Sequence, residues 1–549
     1  MNKGFRTDTP WLYLTSGAVS VALLMVLALL CLIGWRGLSY FWPAPLYQWQ
    51  ILEGDGQSYT LIGERHEIEW VPLQTLQESG LVFEQSEPLV ARMLVKTGNR
   101  EYMPLDFRWV WLPTVVSEST PIDLALIQRR RNGHFYGRIT QVEYNGSRYQ
   151  GALALEWLPQ AIRSANVLAE RTTALQRDEM GRLNAQLEQL RIDLRQAQMQ
   201  QRLTPELAAE IATKQTWLQQ QYNEREQELA QLRSQAGRDH ILVQDLRGES
   251  VQIPLAEVMN VIFPNAMGPL DKAWHWLAQI GAFVSDAPRD GNAEGGVFPA
   301  IFGTILMVLL MAIIVTPLGV VAAIYLHEYA ANNALTRMIR VAVINLAGVP
   351  SIVYGVFGLG FFVYMLGGSI DKLFYADALP APTFGTPGIL WSALTLAVLT
   401  LPVVIVSTEE GLARIPQSVR HGSLALGATK IETLWRIVLP MASPAILTGL
   451  ILALARAAGE VAPLMLVGVV KLAPQLPIDG SFPFLHLERK FMHLGFHIYD
   501  VGFQSPHVEA ARPLVYATSF LLLLVIVTLN LTAIGIRNRL RLRYRHLEQ

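Results

Sequence analysis

The chain has 549 residues, of which 51% are hydrophobic and 16% charged, with a mean hydropathy of +0.28. This composition is too apolar for a soluble protein of such length, and it predicts membrane-spanning segments. Basic and acidic residues balance at 44 and 45, so no overall charge favours nucleic acid as a partner. The single cysteine, Cys31, excludes a disulfide framework and a cysteine metal site within one chain.

Six apolar runs are long enough, at roughly 20 residues each, to cross a lipid bilayer as helices. The first run is too long for the apolar part of a signal peptide and lacks a clear small-residue cleavage site. We therefore expect a retained anchor. The runs lie near residues 12–34, 298–326, 339–366, 388–408, 444–470 and 513–536.

Basic residues next to these runs predict the orientation, because Lys and Arg resist translocation. They precede the first run, separate the second from the third and the fourth from the fifth, and follow the sixth. All four basic segments lie on the same side of the membrane only if the number of membrane spans is even. The prediction is a multi-pass membrane protein with both termini cytoplasmic and residues 36–296 on the outer side, in a periplasm. The basic residues are Lys3, Arg6, Arg337, Arg340, Arg414, Arg420, Lys430, Arg436, Arg537, Arg539, Arg541, Arg543 and Arg545.

The predicted periplasmic segment has the composition of an α+β domain. Its first part, residues 47–158, has strand-like runs separated by turn signals such as Gly98-Asn99, which predicts a β-rich unit. In its last part, residues 240–284, the stretch 240–263 predicts a strand, a turn at Gly248, a second strand and a helix. An amphipathic stretch around Trp274 follows, which either lies at the membrane surface or packs on the domain.

Residues 160–236 predict a coiled-coil hairpin between these two parts. Four leucines follow 4-3-4 spacing, and Thr204-Pro205 is typical of a cap and first residue of a returning helix that ends near Gly237. The same stripe could instead pair two chains. The leucines are Leu183, Leu187, Leu190 and Leu194, and the returning arm carries Leu207, Ile211, Leu218, Leu229 and Leu232.

Motifs for catalysis are missing from the sequence. No Gly-x-x-x-x-Gly-Lys-Ser/Thr loop occurs, so we expect no ATP phosphates to bind to this chain. His327-Glu328 begins like a zinc-protease helix, but Ala331 occupies the place of the second histidine. With no nucleophile elbow and no paired carboxylates, we expect no catalytic residue, no metal and no cofactor on this chain.

The loop at residues 409–443, which we call the coupling loop, carries the most informative motif. Gly427, Ile437 and Pro440 have the spacing of Gly, nine residues, Ile-x-Leu-Pro. This resembles the EAA loop of binding-protein-dependent ABC importer permeases, although His421-Gly422-Ser423 stands where Glu-Ala-Ala would be. Physically, Gly427 permits a sharp turn, and we expect Pro440 to end the second helix before the membrane.

The resemblance implies that the coupling loop is a helix-turn-helix that contacts a separate ATPase. By spacing alone, an ordinary amphipathic hairpin would be equally compatible with the pattern. The residues implied to contact the ATPase are Ser423, Leu424, Ala425, Gly427, Ala428 and Thr429.

Three further stretches, residues 323–330, 348–355 and 455–464, resemble permeases of the PstA type from phosphate importers. Ala462-Pro463-Leu464 favours this type over the related PstC type. The resemblance implies an α-helical membrane protein of the type I ABC importer permease fold. Its core is residues 297–549, preceded by the first helix within residues 1–35, and the long periplasmic insert is not explained by the match.

The resemblance also implies the function and the partners. The chain would move inorganic phosphate from the periplasm to the cytoplasm. It would pair with a PstC-like second permease, a dimeric PstB-like ATPase that holds ATP and magnesium, and a PstS-like periplasmic phosphate-binding protein.

Arg456 and Glu460 are two charges that we expect in the middle of the fifth span, where each costs about 2.5–3.5 kcal/mol. Four residues apart on a helix, they can neutralise each other, which would be a purely structural role. Alternatively, Arg456 borders the substrate route, because a guanidinium suits phosphate by forked hydrogen bonding. The resemblance favours the second role.

Two other functions remain open at this point. A permease for another oxyanion, such as sulfate, molybdate or phosphonate, would share most of these features. A membrane-anchored periplasmic sensor or scaffold would explain the coiled coil and the outer domain, but it requires neither the coupling loop nor Arg456.

Overall fold

A computed structural model describes residues 9–52, 58–78, 88–99, 106–289, 292, 294–378, 381–480, 482–505 and 508–544. The chain divides into two compact units. The inserted unit comprises Phe41–Ala282, and the helical unit comprises Met1–Tyr40 together with Phe283–Gln549.

The first helix, α1 (Thr9–Ser39), is apolar around its whole circumference and exposes most of its side chains. That pattern is typical of a helix that faces lipid. Its end lies against the last helix of the chain. A Cβ on Gly37 would come within 2.9 Å of the carbonyl oxygen of Tyr516, so glycine permits the close approach.

The inserted unit is built on two antiparallel sheets. The first has five strands in the order β4-β3-β2-β1-β5, and the second has six, with β10-β9-β7-β6-β11 in order and β8 paired to β7. The strands are β1 (Leu46–Leu52), β2 (Ser58–Pro72), β3 (Leu89–Lys96), β4 (Phe107–Trp111), β5 (Val115–Ser119), β6 (Ala125–Arg129), β7 (His134–Tyr144), β8 (Ser147–Gln150), β9 (His240–Gln244), β10 (Ser250–Pro254) and β11 (Val258–Ile262). A short helix, α2 (Leu73–Glu78), follows β2.

The prediction of a helix that ends near residue 263 is wrong. Only a single 3₁₀ turn, Leu255–Glu257, precedes β11, which pairs with β6. Strand β9 likewise pairs with β7, so the segments before and after the hairpin form one sheet. Such pairing between distant segments cannot be recognised from local periodicity.

The segment predicted as a coiled-coil hairpin contains two long helical arms. The first arm consists of α3 (Ala152–Ala174), a π-turn (Leu175–Glu179) and α4 (Met180–Met199), and the second is α5 (Pro205–Ala236). The first arm begins at Ala152, eight residues before the predicted start at residue 160, because Ala154, Leu158, Ala161 and Ile162 are buried in the core of the inserted unit. Thr204 accepts a hydrogen bond from the amide of Leu207, which confirms the predicted cap.

The two arms pack on each other within one chain. A small buried cluster consists of Leu175, Met180 and Leu229. Arg171 links the arms through Glu228 at 3.0 Å and also pairs with Glu179 of its own arm at 3.0 Å. These ion pairs are exposed and contribute little stability. The four leucines of the predicted 4-3-4 stripe are only half-buried. The last helix before the helical unit is α6 (Pro269–Ser285), on which Trp274 and Leu277 are exposed.

The helical unit contains the remaining elements. Its helices are α7 (Phe298–Ile324), α8 (Ala334–Leu346), α9 (Ser351–Phe357), α10 (Gly368–Phe374), α11 (Ile389–Ala413), α12 (Gln417–Ala425), α13 (Lys430–Thr433), α14 (Leu439–Gly459), α15 (Ala462–Val467), α16 (Leu494–Tyr499) and α17 (Val508–Tyr544). Its π-helical segments are Tyr325–Tyr329, Gly358–Gly367, Leu434–Val438 and Asp500–Gln504. The strands β12 (Pro288–Arg289) and β13 (Glu294–Gly295) form a small ribbon.

Six helices among the described residues are long and apolar enough to cross a membrane, which confirms the predicted number of spans. They are Trp11–Ser39, Phe298–Tyr329, Ser351–Phe374, Ile389–Ala413, Lys430–Gly459 and Ala511–Arg539. The most buried is α11, which packs against both α7 and α14. A Cβ on Gly319 of α7 would lie 2.6 Å from Val404 of α11, so glycine lets these two helices approach closely.

Two of the predicted spans are displaced along the sequence. The third, predicted at 339–366, is interrupted, because Pro350 lacks an amide hydrogen and disfavours helix in the residue before it. The span starts at Ser351, and α8 is a separate amphipathic helix. The fifth, predicted at 444–470, ends at Gly459. Pro440 does not end a helix as expected; it lies in the first turn of α14, directly after a π-turn.

Candidate functional site

The coupling loop forms two short helices joined by a tight turn. Helix α12 ends at Ala425, and the chain turns at Gly427, whose φ is +85°. Only glycine adopts this left-handed conformation without strain. No atom of the described residues lies within 4 Å of a Cβ built at Gly427, so the turn requires backbone freedom and does not lack space. Thr429 then starts α13 through a capping box with Glu432.

The structure separates the residues that were predicted to contact an ATPase. Ser423 is buried, and its Oγ lies 2.9 Å from Oγ1 of Thr433, so it stabilises the helix pair and does not face outward. Leu426, which the sequence did not single out, is 91% exposed. The other predicted residues, exposed or half-buried, are Leu424, Ala425, Gly427, Ala428 and Thr429.

The coupling loop is fastened to the end of α7 through Glu328. The Glu328 carboxylate lies 3.0 Å from Nη2 of Arg420 on α12, with both side chains at most 15% exposed. The contact is an ion pair and not an aligned hydrogen bond, since that carboxylate oxygen meets no hydrogen-bond geometry within the described chain. Lys430 of α13 donates to the backbone carbonyl of Glu328 and lies 4.3 Å from the ring centre of Tyr329.

Helix α12 is also bound to the end of α11, whose last residues lie within the coupling loop, and α11 is bound to α8. Nη2 of Arg420 also donates to the carbonyl of Leu412, at 2.8 Å. Arg340 of α8 pairs with Glu409 of α11 at 3.2 Å and donates to the carbonyl of Leu326. Carbonyls at helix ends lack intrahelical partners, so arginine is well suited to bind them. From the sequence alone, only the membrane orientation was inferred from Arg340, Arg420 and Lys430.

An open groove of about 400 Å³ lies between α12, α13 and the end of α7. Its polar lining includes His327, Glu328, Arg420, His421 and Lys430. No cluster of metal-ligating side chains is found among the described residues. The groove therefore combines two cations and two imidazoles with a single carboxylate.

Arg456 and Glu460 are adjacent, but they are not in the middle of a helix as predicted. Arg456 lies in the last turn of α14, and Glu460 follows the helix in an extended conformation. Their Nε and Oε1 atoms are 3.5 Å apart, with the side chains 34% and 19% exposed. A cation in the last turn is also favoured by the helix dipole, which supplies a structural reason for Arg456. The partial exposure leaves the guanidinium accessible to another anion.

Three buried histidines lie in the connection between the fifth and sixth spans, and burial shifts the pKa of two of them, His493 and His497. His493 is 1% exposed; its Nδ1 accepts from the amide of Gly495, and its Nε2 has no partner in the described part of the chain. Burial lowers the pKa of His493 to about 4. Burial likewise lowers the pKa of His497 to about 4, and the Asp500 carboxylate only partly opposes this effect.

Residues 315–546 match the family described as "Binding-protein-dependent transport system inner membrane component". The probable ABC transporter permease protein YqgI of Bacillus subtilis is 32% identical over 235 residues, which are 42% of this chain and 74% of YqgI. The phosphate transport system permease protein PstA of Mycobacterium leprae is 39% identical over 236 residues, which are 43% of this chain and 70% of that protein.

Other relatives are covered less completely. PstA 1 of Mycobacterium tuberculosis is 34% identical over 217 residues, and the chain spans 64% of its length. Among solved structures, an inward-facing form of the MetNI methionine ABC transporter is 19% identical to this chain, with a TM-score of 0.32. The match covers 45% of this chain and 94% of the MetNI chain. The inserted unit lies outside the family match.

The matches confirm the resemblance to ABC importer permeases of the PstA type. The chain is a multi-pass inner membrane protein and a transport subunit. It belongs to the family of binding-protein-dependent transport system inner membrane components.

Proposed function

We propose that this chain is the permease subunit of an ATP-binding-cassette importer that moves inorganic phosphate from the periplasm to the cytoplasm. The observation that carries the proposal is its 39% identity, over 70% of the relative, to a phosphate transport system permease protein. YqgI, whose name states no substrate, supports the transport class but not the choice of phosphate.

The orientation and the partners belong to the same proposal. Both termini are cytoplasmic, the inserted unit is periplasmic, and the coupling loop contacts the ATPase in the cytoplasm. A PstC-like permease completes the membrane pathway, and a PstS-like protein delivers phosphate. ATP and magnesium bind to a dimeric PstB-like ATPase, and no cofactor binds to this chain. The surface of the coupling loop around Gly427, including Leu426, is the part that the ATPase contacts.

Arg456 has a role in the route of the substrate. Its pairing with Glu460 is loose and partly exposed, so an arriving phosphate could compete for the same guanidinium donors. Because tight binding in the membrane would slow release, affinity resides in the periplasmic binding protein, and Arg456 lowers the barrier to a desolvated anion.

Uptake of radiolabelled phosphate in a deletion strain tests the proposal, with sulfate and molybdate uptake as controls. We expect that deletion abolishes the high-affinity component of phosphate uptake, that the wild-type chain restores it, and that the other oxyanions are unaffected. Loss of sulfate or molybdate uptake with normal phosphate uptake would assign the chain to another oxyanion.

A further inference from the structure

The open groove beside α12 is lined along one face of that helix. Four residues of α12 border it, and their positions i, i+3, i+4 and i+7 place them on a single helical face: Gln417, Arg420, His421 and Leu424. The opposite wall contains Lys430 and the end of α7 at Glu328.

Positive groups outnumber negative ones in this groove. Arg420 and Lys430 are cations, while Glu328 is the one acidic residue of the lining, and its carboxylate is already paired with Arg420. His421 is exposed. An imidazole does not repel an anion, and it attracts one when it is protonated.

Lys430 has donors to spare. Both contacts of Arg420, to Glu328 and to the carbonyl of Leu412, leave from the same nitrogen, Nη2. The Nε of Arg420 has no acceptor among the described residues but is buried, so Arg420 adds positive charge to the groove without offering that donor to a partner. Lys430 uses one bond to a backbone carbonyl, whereas an ammonium has three donors.

We infer that the groove receives a carboxylate side chain of the cytoplasmic ATPase, and this inference rests on the proposed function. Charge-assisted hydrogen bonds from guanidinium and ammonium groups to carboxylates are among the strongest in proteins, and aspartate and glutamate supply carboxylates on a protein partner. The departure from the Glu-Ala-Ala pattern then has a physical consequence. A glutamate at position 421 would place a second negative charge at the rim and repel the incoming acid, whereas His421 does not.

Charge variants at position 421 test the sign of the contact. The complex is purified through a tag on the permease, and the ATPase retained is measured between low and high salt. We expect His421→Glu to reduce retention about tenfold, because like charges repel across an interface. His421→Lys should increase retention at low salt and make it more salt-dependent. Ser418→Glu is the matched control, since Ser418 lies on the same helix outside the groove and should change retention less than about twofold.

Carbodiimide cross-linking tests the chemistry of the partner directly. This reagent joins a carboxylate to an amine through an amide bond with loss of water, and only when the two groups touch. We expect His421→Lys to give a permease–ATPase product whose cross-linked peptide contains an aspartate or glutamate of the ATPase. Ser418→Lys should give little product joined through residue 418, whereas the product joined through Lys430, which lines the groove in every variant, should be the same in both.

The outcomes separate the inference from the proposed function. If the ATPase is retained by the wild-type chain but binds more tightly to His421→Glu and more weakly to His421→Lys, the facing surface is basic and the inference is wrong. If no ATPase is retained by the wild-type chain under any salt condition, the proposed function fails and the inference fails with it.

Discussion

Gly427 is the residue on which the geometry of the coupling loop depends most. Its φ of +85° costs other residues about 1–2 kcal/mol, whereas Gly422 lies inside α12. A Cβ at either position meets no described atom within 4 Å. The two glycines thus offer the same space and differ in backbone conformation.

The first prediction compares alanine at these two glycines. Gly427→Ala should destabilise the turn by about 1–2 kcal/mol and weaken ATPase retention, because the αL conformation is strained. Gly422→Ala should stabilise α12 by up to about 1 kcal/mol. Retention of the ATPase and thermal unfolding in detergent measure both effects. Equal behaviour of the two variants would show that the turn conformation is unimportant.

Arg456 tests whether the intramembrane charge pair serves transport. Arg456→Leu should insert, assemble and support ATP hydrolysis, yet reduce phosphate import at least about tenfold, because no forked donor remains on the route. Arg456→Gln combined with Glu460→Gln keeps the charge balanced and should fail likewise. Import at the wild-type rate by the double variant would make the pair structural, a role that the helix dipole alone could explain.

His493 predicts a pH dependence of stability. Its pKa is about 4 in the folded protein against 6.5 for an ordinary histidine, so the unfolded chain binds the extra proton between these values. The contribution of His493 to the free energy of unfolding is fully present above pH 6.5. It decreases by about 3 kcal/mol as the pH drops from 6.5 to about 4. His493→Asn keeps an acceptor for the amide of Gly495 without a titrating group. Thermal unfolding in detergent from pH 7.5 to 4.5 should therefore be less pH-dependent in this variant; an unchanged profile would contradict the account.

At the scale of elements, Arg420 of α12 contacts the ends of both α7 and α11, so we expect these three helices to move together. Glu328 and Arg420 are nearly buried, and breaking such a pair costs about 3 kcal/mol. Glu328→Gln and Arg420→Gln should each lower the number of phosphate ions imported per ATP hydrolysed. Without the ion pair, a movement of α12 would no longer be transmitted to α7. The double variant should be less impaired than the sum of the two.

An exposed ion pair provides the control for that cycle. Arg191 and Glu188 on α4 are more than half exposed, and their neutral variants should leave the coupling ratio unchanged. If the Glu328 and Arg420 variants also hydrolyse and import in the wild-type ratio, the contact does not transmit motion.

The elements that the sequence predicted well are those defined by local composition. Six apolar runs identify six spans, and Thr204-Pro205 identifies the start of α5. The errors lie where a local signal competes with packing or with distant residues. Strand β11 exists because it pairs with β6, and the contact of Glu328 with Arg420 joins segments far apart in sequence.

Proline illustrates the same limit in two opposite ways. Pro350 separates α8 from the third span, as proline chemistry predicts, yet the apolar run continues across it and concealed the break. Pro440 was expected to end a helix, but it occupies a first turn, where the missing amide hydrogen matters least. Arg456 was identified correctly as an unusual charge, while its position at a helix end depended on where α14 stops.

At the scale of the whole molecule, the helical unit carries the family match, and the inserted unit is an addition to it. The account therefore assigns transport to the helical unit together with its partners. A sensor or scaffold would not require a buried contact between the coupling loop and the ends of two membrane spans.

The most direct test of the central claim is ATP-driven phosphate accumulation in proteoliposomes. They would contain this chain, its partner permease and the ATPase, with the phosphate-binding protein on the side of the inserted unit and ATP on the opposite side. The account predicts accumulation of radiolabelled phosphate that requires all components and is not reduced by excess sulfate. ATP hydrolysis stimulated by the loaded binding protein, with no accumulation of phosphate above the control without ATP, would contradict it.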